Sequence, residues 1–249
     1  MMNQADKNRM VWTLLLLISY VGLSYSPRFS FLGTLMILLF GYLAWKRKSI
    51  EYLGLRLNSK QLLISALLAG VTIAISHFIV KSICASSFVI MSPPVLSSVP
   101  HIFFYTVNEE IVLGALMIRG LRHSGGKLRD IYISLILATA FSLLHFLFYG
   151  WIASERGAIS ILALTSLFMV GVIRNNLILT TGHIGYSWAV HFGFVFVMLG
   201  SPKTWGGRFL TEPEIINLVF GTTSFILALV ALAILTSLPL VFSRRHSSN

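Results

Sequence analysis

Ile102-Phe103-Phe104-Tyr105-Thr106-Val107-Asn108-Glu109-Glu110-Ile111-Val112-Leu113-Gly114-Ala115-Leu116-Met117-Ile118 reads as a membrane helix, except for two adjacent glutamates at its centre. An ionisable side chain at bilayer depth costs at least ~2.5–3.5 kcal/mol, and two neighbours add their mutual repulsion. A sequence that carries this cost twice in a row needs acid–base chemistry or ion handling at that place. Every other acidic residue (Asp6, Glu51, Asp130, Glu155, Glu212, Glu214) falls in or beside a loop. The fold follows from the rest of the chain, which is 56% hydrophobic and 11% charged, with a mean hydropathy of +0.83. These values describe a polytopic membrane protein.

Apolar stretches long enough for a hydrocarbon core of ~30 Å recur along nearly the whole length. Eight spans are predicted, at about 11–26, 30–45, 62–83, 100–120, 131–150, 158–174, 183–200 and 215–242. The expected architecture is all-α, with residues 1–249 forming one transmembrane helical bundle, because lipid offers no partner for an unpaired backbone group. The segment Ser49–Leu57 reads as an amphipathic surface stretch, and the turn Met91-Ser92-Pro93-Pro94 breaks any helix between the third and fourth spans. Cys84 is the single cysteine, which excludes an intramolecular disulfide and a cysteine-cluster metal site.

A net charge of +11 suits nucleic acid binding in the abstract, but its distribution speaks for topology. With a cytoplasmic N-terminus, Lys7, Arg9, Lys46, Arg47, Lys48, Arg56, Lys60, Arg119, Arg122, Lys127, Arg129, Arg174, Arg244 and Arg245 fall inside. Arg28, Lys81, Arg156, Lys203 and Arg208 fall outside. This is the positive-inside bias of an integral membrane protein, whose basic loops meet anionic lipid heads. No nucleic-acid partner is expected; the surroundings are membrane lipids, in a bacterial-looking plasma membrane.

Ionisable residues also sit away from the ends of two later spans: His145 in the fifth and His191 in the seventh. At 1.5 Å per residue, Glu109 lies roughly 13 Å from the outer end of its span, His145 about 7 Å and His191 about 13 Å. Similar depths allow the three to converge. In a dry pocket a carboxylate can take a proton from water, one imidazole can orient that water, and a second can donate to a developing oxyanion. Such a set hydrolyses peptide bonds without a serine or cysteine nucleophile. The alternative is that Glu109, His145 and His191 bind zinc and activate its water. No cofactor is expected on the first reading, and no His-Glu-x-x-His motif supports the second. Adjacent helical residues diverge by ~100°, so one glutamate of the pair is expected to face the cavity squarely. His77 is read as a structural hydrogen-bonding residue, Phe141 as core packed over the His145 ring one turn on, and Asn108 as a link to a neighbouring helix.

Glu109-Glu110, Phe141-x-x-x-His145 and His191-x-x-x-Val195, in this order on successive late helices, resemble the three motifs of the CPBP intramembrane proteases. That family includes the Ras-converting CAAX prenyl endopeptidases and bacterial Abi or bacteriocin-processing relatives. The resemblance covers about residues 98–200, and Leu53-Gly54-Leu55-Arg56 adds to it. It implies an eight-helix bundle around a conical cavity, with Glu109 and His145 activating water, His191 stabilising the oxyanion and Glu110 in support. Its substrate would be a membrane-anchored peptide or protein, lipidated or exported. Two positions depart: the family's Glu-Glu-x-x-x-Arg has Gly114 here at its last place, and its His-x-x-x-Asn has Val195. The Arg would balance the glutamate charge and the Asn would add an oxyanion donor. Arg119 lies about 7.5 Å further along the helix than Gly114 and does not replace it. These departures motivate a second reading, a non-catalytic immunity or regulatory scaffold. A third, a proton-coupled transporter, draws on carboxylate–histidine relays but lacks repeat symmetry.

Overall fold

The computed structural model describes residues 4–20, 23, 28–124, 129–147 and 159–242. Lys127, Trp151, Glu155, Arg156, Arg244, Arg245 and His246 lie outside the described residues, as do the ends of the first and fifth predicted spans. The described chain is mostly helical: α1 (Gln4–Ser19), α2 (Ser30–Trp45), α3 (Ser49–Tyr52), α4 (Ser59–Ser86), α5 (Val99–Glu109), α6 (Met117–Ser124), α7 (Asp130–Leu147), α8 (Ile161–Thr181), α9 (Gly185–Gly200), α10 (Glu212–Phe220) and α11 (Thr223–Phe242). A π-helical stretch, Glu110–Leu116, joins α5 to α6 without a break. Among the described residues, four helices are long and apolar enough to cross a membrane: Ser59–Ser86, Leu96–Arg122, Ile161–Thr181 and Thr223–Val241. Three shorter apolar helices, Ser30–Trp45, Asp130–Phe146 and Gly185–Gly200, accompany them.

Local chemistry sets these ends. Asn58 and Gln61 form a reciprocal capping box at the start of α4, both bonds at 2.9 Å. Ser160 accepts from the Ala163 amide to open α8, and Gly182 closes it at φ +76°. The predicted sixth span ended at residue 174, but α8 runs on to Thr181, because Arg174-Asn175-Asn176 finds buried partners instead of a loop. The predicted eighth span divides at Gly221 into α10 and α11.

α9 packs along α4, and α7 along α8, through small residues. A Cβ at Gly193 would stand 2.9 Å from the Ala69 carbonyl oxygen, and one at Gly171 would stand 2.9 Å from the Ala138 Cα. Both backbones therefore approach as only glycine permits. Ser49–Leu57 departs from the surface stretch expected of it. Leu53 is 1% exposed, and the Gly54 carbonyl accepts from the Ile184 amide at 3.0 Å, so the segment docks under the start of α9.

A small antiparallel sheet covers one end of the helices, in the order β1 (Ile90–Met91), β2 (Lys203–Trp205) and β3 (Arg208–Phe209). Lys203, expected as an outside loop charge, is instead 1% exposed. Its Nζ donates to the carbonyls of Met198 (2.6 Å), Ser201 (2.8 Å) and Val197 (3.4 Å) and so satisfies the end of α9. Burial pushes its ammonium down to about 8. Arg208 on β3 pairs bidentately with Glu214 of α10, at 2.6 and 3.0 Å. That pair and the Thr211 amide hold the Glu214 carboxyl down to about 2. The carboxyl is depressed in the folded state, so the tie is complete above its ordinary value and lost only as pH falls through about 2. Glu214→Gln at neutral pH will therefore speed amide hydrogen exchange across 203–211 by a few-fold, an effect that acidification of the native protein to pH ~4 will not reproduce.

Candidate functional site

The glutamate pair sits where α5 passes into the π stretch. A π turn carries an extra residue, with amides reaching carbonyls five residues back, so neighbouring side chains diverge less than in an α-helix. Both Glu109 and Glu110 are 0% exposed, and both reach His191. Of the two, Glu109 faces both imidazole Nε2 atoms, while Glu110 reaches only His191, from behind, through Nδ1.

Glu109, His145 and His191 converge. His145 Nε2 lies 3.7 Å from Glu109 Oε1, and His191 Nε2 lies 3.4 Å from Glu109 Oε2. The opposite ring nitrogens are engaged. His145 Nδ1 donates to the Phe141 carbonyl at 2.9 Å, an oxygen that can only accept. His191 Nδ1 meets Glu110 Oε1 at 2.9 Å, and Ser187 Oγ donates to Glu110 Oε2 at 2.5 Å. Glu110 is therefore an anchor that fixes the His191 ring, and both imidazoles turn Nε2 toward Glu109. Tyr20, the residue after α1, donates its hydroxyl to Glu109 Oε1 at 3.2 Å, while Oε2 has no hydrogen-bond partner. The Glu109 carboxylate thus stands between the two Nε2 atoms, His145 on the side of Oε1 and His191 on the side of Oε2.

The readings of Phe141 and Asn108 match the structure. Phe141 stands edge-on over the His145 ring with centroids 4.4 Å apart. Asn108 Nδ2 donates to the Ser30 carbonyl on α2 at 3.3 Å. His77, read as a structural hydrogen-bonding residue, is half-buried and stands edge-on to Phe78, with no hydrogen bond of its ring seen among the described residues.

Three residues of the site escaped the sequence reading: Tyr20, Ser187 and Arg174. Tyr20 and Ser187 carry no signal of their own, being common residues of apolar helices. Arg174 had one, since Arg-Asn-Asn interrupts an otherwise apolar run, but it was placed at a cytoplasmic helix end. It is 3% exposed, inside α8, with its guanidinium 4.3 Å from the centroid of the Phe141 ring. Gly114 makes room for it. A Cβ there would stand 2.6 Å from Ile178 Cδ1, and 3.9 Å from both Arg174 Nε and Glu110 Oε2. The positive charge that the sequence lacks at 114 thus approaches from another helix. Arg119 is elsewhere, donating to the Gly182 carbonyl at 3.1 Å.

Two cavities border the cluster. The larger, about 160 Å³, is walled by α8, α9 and α11 and touches Glu110, Arg174, Ser187 and His191. The smaller, about 40 Å³, touches Tyr105, His145, His191, Val195 and Glu212. A single water needs ~10–15 Å³ and two or more polar partners, so this chamber can hold one beside both imidazoles. Val195 places an isopropyl group on its wall. Phe141, Val170, His191 and Phe194 border both spaces and form the partition between them.

No protein-family model, curated protein or solved structure matches the chain. Two imidazoles and a carboxylate are donors of the kind zinc takes. Among the described residues, however, no group of three or more His, Cys, Asp or Glu is arranged to hold a metal ion.

Proposed function

We propose that the chain is an intramembrane endopeptidase of the CPBP type, crossing the bilayer about eight times with its N-terminus in the cytoplasm. It cleaves a membrane-anchored or apolar peptide with a water activated by Glu109. The observation that carries this reading is the placing of the buried Glu109 carboxylate between two imidazole Nε2 atoms, His145 against Oε1 and His191 against Oε2. Tyr20 holds one carboxylate oxygen, leaving Oε2 to take the proton. Water then forms the new C–O bond with the scissile carbonyl. His191, when doubly protonated, meets the oxyanion through Nε2–H. Glu109 returns that proton to the amide nitrogen as the C–N bond breaks, and His145 Nε2 takes the second proton of the attacking water, which releases an amine and a carboxylate. The apolar cleft receives the substrate's side chains, and the smaller chamber supplies water.

A second reading rests on Val195. With no amide donor there and both His191 nitrogens directed at carboxylates, the site would bind a peptide without cutting it, as an immunity or regulatory scaffold does. One experiment separates the two. Purified protein in lipid nanodiscs is incubated with candidate anchored peptides, with and without chelator, and products are read by mass spectrometry. Cleavage indifferent to chelator is expected. Cleavage abolished by chelator and restored by Zn²⁺ replaces the glutamate mechanism with a metal one. Binding with no product in any condition favours the scaffold.

A further inference from the structure

The end of the bundle covered by the small sheet presents large apolar side chains to its surroundings. α4 closes there in a Schellman turn: the Phe88 amide donates to the Ala85 carbonyl at 3.2 Å, and the Val89 amide to the Cys84 carbonyl at 2.8 Å. Glycine is the usual residue at the left-handed position of such a turn, but here Phe88 holds it at φ +56°. A bulky side chain is strained in that region. The Phe88 residue is also 87% exposed, so packing against the protein does not offset the strain. The strands continue the pattern. Ile90, Thr204 and Phe209 are register partners across β1, β2 and β3, and so share one face of the sheet. Ile90 and Phe209 are 70% and 71% exposed, while Lys203 on the opposite face is buried. Trp205, the register partner of Arg208 beside the Gly206-Gly207 turn, is exposed as well. A contiguous apolar surface of this kind marks an interaction site.

The helix that leads into this surface says what meets it. Leu63, Leu67, Val71, Ile75 and Phe78 form an exposed apolar stripe along α4, bracketed by the exposed Lys60 and Lys81. Those lysines stand about 32 Å apart along the axis, close to the thickness of a hydrocarbon core. The whole helix has 28 residues. Its length of about 42 Å takes in the headgroup layers too. Phe88 and the sheet therefore begin at headgroup level, where the lipid-facing stripe of α4 ends. Aromatic rings and a guanidinium are the groups that this level favours. We infer that Phe88, Ile90, Trp205 and Phe209 form an interfacial foot, with their side chains set into the boundary between headgroups and acyl chains. Its partner is a lipid surface. The inference rests on the membrane crossing and not on the peptidase reading.

Nitroxide labels are placed one at a time at Ile90→Cys and Phe209→Cys, in full-length protein held as single copies in nanodiscs of phosphatidylethanolamine and phosphatidylglycerol. Leu67→Cys, midway along the α4 stripe, is the acyl-chain reference, and the unaltered protein, whose Cys84 is 1% exposed, is the labelling control. Collisions with oxygen, which gathers in lipid, are compared with those of a nickel chelate, which stays in water. Oxygen collisions are expected to exceed nickel collisions several-fold at both positions, by a smaller ratio than at Leu67. Nickel collisions that prevail at both positions overturn the inference; shielding of the same labels in native membranes would then assign the surface to a protein partner. Labels screened from both reagents in single-copy discs overturn it too, since the chain itself would cover the patch. Both positions are exposed, so neither label displaces a packed side chain. A second measurement reads Trp205. Lipids brominated just below the headgroup are expected to quench the part of the tryptophan emission that Trp205→Phe removes, and emission at that site blind to these lipids overturns the inference. None of these outcomes depends on whether the protein cleaves a peptide.

Discussion

Glu109→Gln will reduce peptide cleavage by about a hundredfold to ten-thousandfold, the range that a positioned general base contributes, and will leave the protein at least as stable as before. The two halves of this expectation come from one geometry. Glu109 is 0% exposed and one of its oxygens has no hydrogen-bond partner, so the carboxylate is held at a cost to folding. A neutral amide of the same shape still accepts from Tyr20 through its oxygen, and it removes the repulsion with Glu110. What it cannot do is take a proton from water. Initial rates by mass spectrometry and thermal unfolding in the same nanodiscs test both halves. Undiminished cleavage in this variant would end the general-base assignment, and a large fall in melting temperature would show Glu109 to be structural.

The neighbouring position should behave in the opposite way. Glu110→Ala will lower stability by ~1–3 kcal/mol, because it orphans one buried donor, His191 Nδ1–H, while the Ser187 hydroxyl keeps the Ile184 carbonyl at 3.0 Å as an acceptor. Cleavage falls as well, since His191 is no longer oriented toward Glu109, but the fall accompanies loss of fold. Glu110→Gln, which keeps an acceptor for one donor, lies between. If Glu110→Ala melts where the unaltered protein does, Glu110 is not the anchor described above. Two adjacent glutamates, alike in sequence and burial, are thus separated by one measurement of rate and one of melting temperature.

The departures from the resembled motifs take physical form in this arrangement. Gly114 cannot carry a side chain without displacing Ile178, and the charge expected there is delivered by Arg174 from α8. Val195 has no such substitute visible in the chamber it borders, which is why the scaffold reading persists beside the enzymatic one.

Much of this protein could be read from its residues alone, and the readable part has a common cause. Hydropathy is a sum along the chain, so apolar length marks where helices lie, and a fixed rise per residue converts position into depth. Those two rules located most of the described helices, though not the run of α8 to Thr181 or the break at Gly221, and gave Glu109, His145 and His191 comparable expected depths. They could not say which way a side chain faces, because azimuth depends on the local turn and on which helices pack together. The π stretch that follows Glu109 is a backbone choice with no residue signature here. The burial of Arg174 and Lys203, the docking of Leu53 and the arrival of Tyr20 at Glu109 each join residues far apart in the chain. Depth belonged to the sequence; direction and partnership belonged to the packing, since only packed helices decide which buried polar group finds another.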